Sequence, residues 1–135
     1  MHPRILIILL AFVLAACAGA PATNDIPVFT GATPIEANTA PAIAQALVGG
    51  FTGAIGAENA RAITLYNVPD ATTWSEVKAF YAAKLGDWQA VPSYLVENDT
   101  FSYAAWQQGG RTLVIGLVEN TLGEGAYLTT AVVAR

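Results

Sequence analysis

Histidine and cysteine each occur once, at His2 and Cys17, and the chain from Ala18 onward contains neither. That stretch can form no internal disulfide and no Cys/His metal site. It also lacks the groups for Cys-His or Ser-His-Asp nucleophilic catalysis and for c-type haem attachment. Charge is scarce too: Asp, Glu, Lys and Arg make up 12% of the 135 residues, with six basic against ten acidic side chains and a net charge of −4. The basic residues Arg4, Arg61, Lys78, Lys84, Arg111 and Arg135 form no cluster. An acidic chain without a basic patch is repelled by phosphate backbones, so nucleic acid is excluded as a partner. What the chain does have is Ala, Val, Leu and aromatic residues in abundance, with 54% hydrophobic residues overall. Low charge with that content predicts a folded domain, not a disordered tail.

The first residues have three parts in order. Arg4 and the amino terminus give a positive n-region, and Ile5 to Leu14 give an apolar h-region of the kind found in secretory signals. The run is about half of the ~20 residues that a bilayer-spanning helix needs, so a processed leader fits better than a permanent span. Ala15, Ala18 and Ala20 also offer an ordinary small-x-small cleavage site, which keeps plain secretion open. Leu14-Ala15-Ala16-Cys17 resembles the lipobox of bacterial lipoproteins. The resemblance implies a diacylglyceryl group on the Cys17 thiol, cleavage before it, and a membrane partner reached through lipid. One acyl chain anchors only marginally, at about 0.8 kcal/mol per buried methylene, whereas two or more hold a soluble domain on a surface. Ala18 stands where an aspartate would resemble an inner-membrane retention signal. The implied location is the non-cytoplasmic side of a membrane, either the outer membrane or the external face of the cell membrane.

The expected organisation is a signal peptide over 1–16, a lipidated cysteine and short tether over 17–24, and a single domain over 25–135. Residues 18 to 24 are rich in Ala, Gly, Pro and Thr, and even drawn out straight they reach only about 25 Å. Asp25 to Ala32 reads as an extended lead-in ending in a turn at Gly31. Thr39-Ala40-Pro41 predicts a helix start, with threonine as N-cap and proline in the first turn. Ile43, Leu47 and Phe51 follow at i, i+4 and i+8 as one apolar stripe. Gly49-x-x-x-Gly53 matches the small-residue pattern of membrane helix dimers, but four glycines, Gln45, Thr52 and Pro41 make the segment too weakly hydrophobic to insert. A buried or half-buried helix is expected.

Arg61 to Val68 alternates as a strand and is closed by Pro69-Asp70. Thr73-Trp74-Ser75-Glu76 has capping-box spacing. Trp74, Val77, Phe80, Tyr81 and Leu85 then form the broad apolar face of a second helix, with Gly86 as its terminator. Phe101 to Gln107 and Arg111 to Glu119 flank Gly109-Gly110, a two-residue hairpin signal. That register sets Trp106 opposite Leu113 and Tyr103 opposite Gly116, so that an aromatic ring covers the strand glycine. Asn120 to Gly125 turns the chain into a last strand, Tyr127 to Ala134. The expected fold is α+β, a mainly antiparallel sheet of four to five strands packed with two helices. Both faces of the hairpin are apolar. Either the helices cover opposite sides, which the pattern favours, or one side meets a ligand, a subunit or the membrane.

The segment Asp25-Ile26-Pro27-Val28-Phe29-Thr30-Gly31-Ala32, followed by Phe80-Tyr81 and Trp88, resembles small bacterial envelope domains that open with Pro-x-aromatic-x-Gly-Ala. The resemblance implies a shared fold and supplies no site.

Candidate sites compete with plainer explanations. Glu97, Asn98 and Asp99 with Glu119 or Glu124 offer oxygens to calcium but lack EF-hand spacing. Asp70, Glu76 and Asp87 offer paired carboxylates for glycoside chemistry, yet also read as turn, cap and helix-end residues. Asn98-Asp99-Thr100 has the glycosylation pattern, and in a bacterial setting reads as a loop. Gly49-Gly50-Phe51-Thr52-Gly53 lacks the Lys-Ser/Thr of a phosphate loop, and no catalytic, metal or other cofactor motif is present. Trp74, Trp88, Tyr94, Tyr103 and Trp106 remain as a possible binding surface for a sugar, peptide or protein. The combined expectation is a lipid-anchored, non-enzymatic protein of the cell envelope that binds or scaffolds. A small-ligand or peptide binder using a sheet face or the groove beside the second helix comes next, and an enzyme built from carboxylates, Tyr and Lys comes third.

Overall fold

The computed structural model describes residues 25–134. The lipobox, including Cys17, lies outside the described residues. Alternation and turn chemistry produce one antiparallel sheet of six strands: β1 (Thr33–Ile35), β2 (Ile63–Val68), β3 (Gln89–Ala90), β4 (Ser102–Gln108), β5 (Arg111–Val118) and β6 (Ala126–Ala134). Their spatial order is β1-β2-β6-β5-β4-β3. Two α-helices, α1 (Ala42–Ile55) and α2 (Trp74–Lys84), and three short 3₁₀ segments complete the single α+β domain. Six strands exceed the expected four to five, and the two that lacked a predicted segment are the edges. At three and two residues, with Pro34 in one of them, they carry no readable alternation and survive by pairing with β2 and β4.

The β4–β5 turn sets the register as expected, with Trp106 opposite Leu113 and Tyr103 opposite Gly116. Only Gly109 of the glycine pair takes a positive φ, at 57°, which is the pattern of a type II′ turn. Side chains alternate strictly across β5. Leu113, Ile115 and Leu117 join Leu128, Trp106, Val77 and Tyr81 under α2. Val114, Gly116 and Val118 face α1, where Leu47, Phe51 and Ile55 pack against Leu65, Tyr127 and Ala131. The helices therefore cover opposite faces of the sheet. Each fully buried Leu or Ile contributes about 1.5–3 kcal/mol, and the double coverage is what makes both strand faces apolar.

Local chemistry explains where each helix begins and stops. In α2 the Thr73 hydroxyl accepts from the Glu76 amide and the Glu76 carboxylate accepts from the Thr73 amide, closing the predicted box. Its end is also as read, with Gly86 at φ +53° just after the last turn. The start of α1 differs from expectation. Thr39 donates its hydroxyl to the Glu36 carbonyl, and Pro41 itself takes the N-cap position without a side-chain cap. Leu47 and Phe51 of the expected apolar stripe are buried, but in the first turn Ala44 is buried and Ile43 only half-buried. A 3₁₀ segment over Ala57–Ala62 delays β2 to Ile63, two residues later than its alternation suggested.

The ring that covers Gly116 is not Tyr103. Directly opposite residues share one face, but Tyr103 stacks on Phe101, with centroids 5.8 Å apart, and Phe51 descends from α1 onto the glycine. A Cβ at Gly116 would lie 2.8 Å from Phe51 Cδ2 and 2.8 Å from Thr129 Oγ1. No side chain larger than hydrogen fits there without displacing its neighbours.

Candidate functional site

The sheet has two ends with different chemistry. At one end lie the β4–β5 turn, the C-terminal end of α2 and Asp25. At the other lie the first turn of α2, the loop 97–101 and the turn 119–125.

The second end holds Glu97, Asp99, Glu119 and Glu124, and a groove of about 400 Å³ lined by Trp74, Ser75, Lys78, Glu97, Ser102 and Glu119 among others. The first turn of a helix leaves amide donors without intrahelical partners, and carboxylates suit both those donors and the helix dipole. Glu119 Oε1 accepts the Trp74 amide at 2.6 Å. Glu97 Oε1 accepts the Trp74 indole Nε1 at 2.8 Å and also pairs with Lys78 Nζ. The Lys78 hydrogen bond, aided by the indole, holds the Glu97 carboxyl below its ordinary range. The Thr73 backbone and hydroxyl do the same for Glu76. Glu76 and Glu97 are thereby held toward their charged form as structural acceptors, the opposite of a carboxyl raised toward neutrality for acid catalysis. Asn98 Oδ1 accepts the amides of Thr100 and Phe101 at 2.9 and 3.0 Å, which makes it a turn former. Among the described residues no group of three or more His, Cys, Asp or Glu side chains is placed to hold a metal ion.

The glycoside trio is dispersed. Glu76 lies in the first turn of α2 and Asp87 beyond its last, so the eight helical residues 77–84 separate them by about 12 Å along the axis. Hydrolysis needs two carboxyls within ~5 to 9.5 Å. Asp70 is exposed in the turn closed by Thr72 N and Pro69 O at 2.9 Å.

The five aromatic candidates do not assemble into one surface. Trp74, Trp88 and Trp106 are 5–8% exposed and belong to the core under α2. Tyr94 packs on the opposite face beside Ile55 and Val114, and half-buried Tyr103 stacks on Phe101. Alternation sends them to different faces, and burial claims the indoles. Apolar exposure is scattered over Val28, Leu95 and Leu122.

Two arrangements that sequence reasoning missed stand out. A groove of about 340 Å³ runs beside α1, lined by Pro34, Ile35, Val48, Ala60, Ile63 and Leu65 among others. It exists because β1 ends at Ile35 opposite Leu65, so among the described residues Ile63 and Thr64 pair with β6 alone. The other is the Asp25–Arg111 ion pair, a two-point contact at 2.9 and 2.8 Å. No local signal foretells it, since 86 residues separate the partners. No family model, no curated protein and no solved structure matches this chain. The residues of the Pro-x-aromatic-x-Gly-Ala segment have turn and packing roles: Gly31 takes φ +80° and Phe29 meets Phe80 edge-on at 5.2 Å. No described helix is long and apolar enough to cross a membrane.

Proposed function

We propose that the chain is a lipid-anchored protein of the bacterial cell envelope, held through Cys17 on the non-cytoplasmic side of a membrane, whose domain binds or scaffolds and does not catalyse. The observation that carries the anchor is Leu14-Ala15-Ala16-Cys17 directly behind the n- and h-regions. The non-catalytic role is supported by the missing imidazole and thiol after Cys17 and by Glu76, Glu97 and Glu119 being engaged with the start of α2. Because α1 and α2 cover both sheet faces, binding falls to grooves, edges and loops. A second reading, capture of a small ligand or peptide, is favoured by the groove beside the open edge of β2.

Metabolic labelling with palmitate tests the anchor. The wild type incorporates label and fractionates with membranes, and Cys17→Ser does neither. A cleaved, unacylated and soluble wild-type product would refute it. Crosslinking in native envelopes then tests the role, the expected result being one stoichiometric partner in place of turnover of small molecules.

A further inference from the structure

The Ser102 hydroxyl is unused by the fold. Ser102 opens β4 opposite Leu117, on the sheet face that α2 covers, and is only 6% exposed. Among the described residues its hydroxyl meets no hydrogen-bond partner, yet the oxygen is not sealed off, because the residue lines two grooves. One is the groove of about 400 Å³ beside Trp74, and the other, of about 380 Å³, passes Phe101, Leu117 and Thr121. Asn98, Asp99, Ser102 and Glu119 line both, so these four side chains form a shared wall. A buried polar group without a partner calls for one, and the wall shows what kind it would be. Glu119 gives one oxygen to the Trp74 amide; among the described residues its other oxygen and the Asp99 carboxylate have neither a hydrogen bond nor an ion pair. Lys78, the one basic residue lining either groove, is taken by Glu97. The wall therefore carries negative charge that nothing in the fold neutralises.

We propose that this wall is a binding site for a primary ammonium on an unbranched aliphatic stem, the group that a lysine side chain carries. The proposal rests on the reading of the domain as a binder, whether or not Cys17 carries lipid. An ammonium brings three donors and no acceptor. Those donors match the Asp99 carboxylate, the remaining Glu119 oxygen and the Ser102 hydroxyl oxygen, and charge strengthens each bond to a carboxylate. A bare metal ion fits less well, since among the described residues no three such side chains are placed to hold one. The methylenes of the stem lie along Phe101 in the second groove, as lysine stems lie on apolar surface while the charged head stays with polar partners. The same end of the sheet already shows the chemistry within the chain, where the Lys78 ammonium sits on Glu97.

The test titrates the full, natively processed protein, isotope-labelled and held in detergent micelles, with Nα-acetyl-lysine methylamide and follows its amide and indole resonances. Saturable shifts are expected at Trp74, Asp99, Phe101, Ser102 and Glu119. Nα-acetyl-norleucine methylamide, which keeps the stem and lacks the ammonium, should produce none. Asp99→Asn and Glu119→Gln should each weaken binding about tenfold, as the loss of a bond to a charged group does. Ser102→Ala should weaken it severalfold while the thermal unfolding transition stays in place, because no bond within the fold is lost. Equal binding of the two probes, or affinity that survives all three substitutions, overturns the site. Butylamine identifies the source: tighter binding of the lysine probe assigns the ammonium to a polypeptide partner, and tighter binding of butylamine assigns it to a free amine. Mass analysis of the recovered probe separates the two readings. A chemically altered probe refutes the binding role of the domain, whereas an unaltered probe that never saturates refutes the ammonium site alone.

Discussion

The two faces of the sheet are closed by different means. Under α2 the core is one continuous cluster built on large rings, with Trp74, Tyr81, Trp88 and Trp106 around Leu113, Ile115 and Leu128. Under α1 it divides into two clusters, and Phe51 fits the notch formed by Gly116 and Thr129. One helix is held by mass and by a capped, ion-paired first turn. The other is held by close approach, without a side-chain cap and without a single ionisable residue between Ala42 and Ile55. A sheet can thus be covered equally well by filling space or by removing it, and the two solutions fail differently.

The largest effect is expected under α2. Trp106→Ala should cost about 3–5 kcal/mol, since a buried ring leaves a cavity that neighbouring rings cannot fill. Denaturant unfolding at fixed m-value measures it. Gly116→Ala probes the other solution. The added methyl overpacks the Phe51 notch and should cost about 1–3 kcal/mol. Gly116→Ala combined with Phe51→Leu should recover part of the loss if Phe51 is the obstacle.

Titration should separate the faces as well, because the shifted groups sit with α2 and the lead-in. Burial pushes the Tyr81 phenol well above its ordinary 10.0. The unfolded chain then ionises first, and stability is lost as pH rises above about 10. Glu76, Glu97 and Asp25 are shifted the other way by their hydrogen bonds. Their contribution is present above the ordinary carboxylate range and fades as pH falls through their lowered values. Melting temperatures on either side of pH 10.0 should fall less steeply for Tyr81→Phe than for the wild type, and Glu97→Gln should flatten the acid limb.

Smaller substitutions sharpen the contrast at the helices themselves. Thr73→Ala should cost about 1 kcal/mol by opening the capping box. Gly49→Ala and Gly53→Ala should each stabilise by roughly 0.5–1 kcal/mol, because a Cβ at either helical position meets nothing within 4 Å. A loss at those two glycines would mean that the exposed side of α1 is covered by a partner.

Legibility followed the same division. The second helix announced itself through Thr73, Glu76, Gly86 and its i, i+3, i+4 spacing, and the hairpin through Gly109-Gly110, because those signals are local. The notch at Gly116 was visible only as a strand glycine, since the ring that fills it comes from a helix 65 positions earlier. Thr39 misled because a hydroxyl before a proline serves the preceding turn as readily as the following helix. The aromatic candidates looked like a surface because composition does not record which face a side chain takes. Asp25 and Arg111 carried no pattern, as their meeting is a product of the finished topology.

The brevity of the edge strands has a consequence for crowding. Sheets with long bare margins recruit one another, and high local concentration multiplies such encounters. Here one margin is a three-residue strand interrupted by Pro34, and the other is a two-residue strand followed by Pro92. Copies packed side by side would find almost no register along which to zip together, so the domain can be abundant without polymerising.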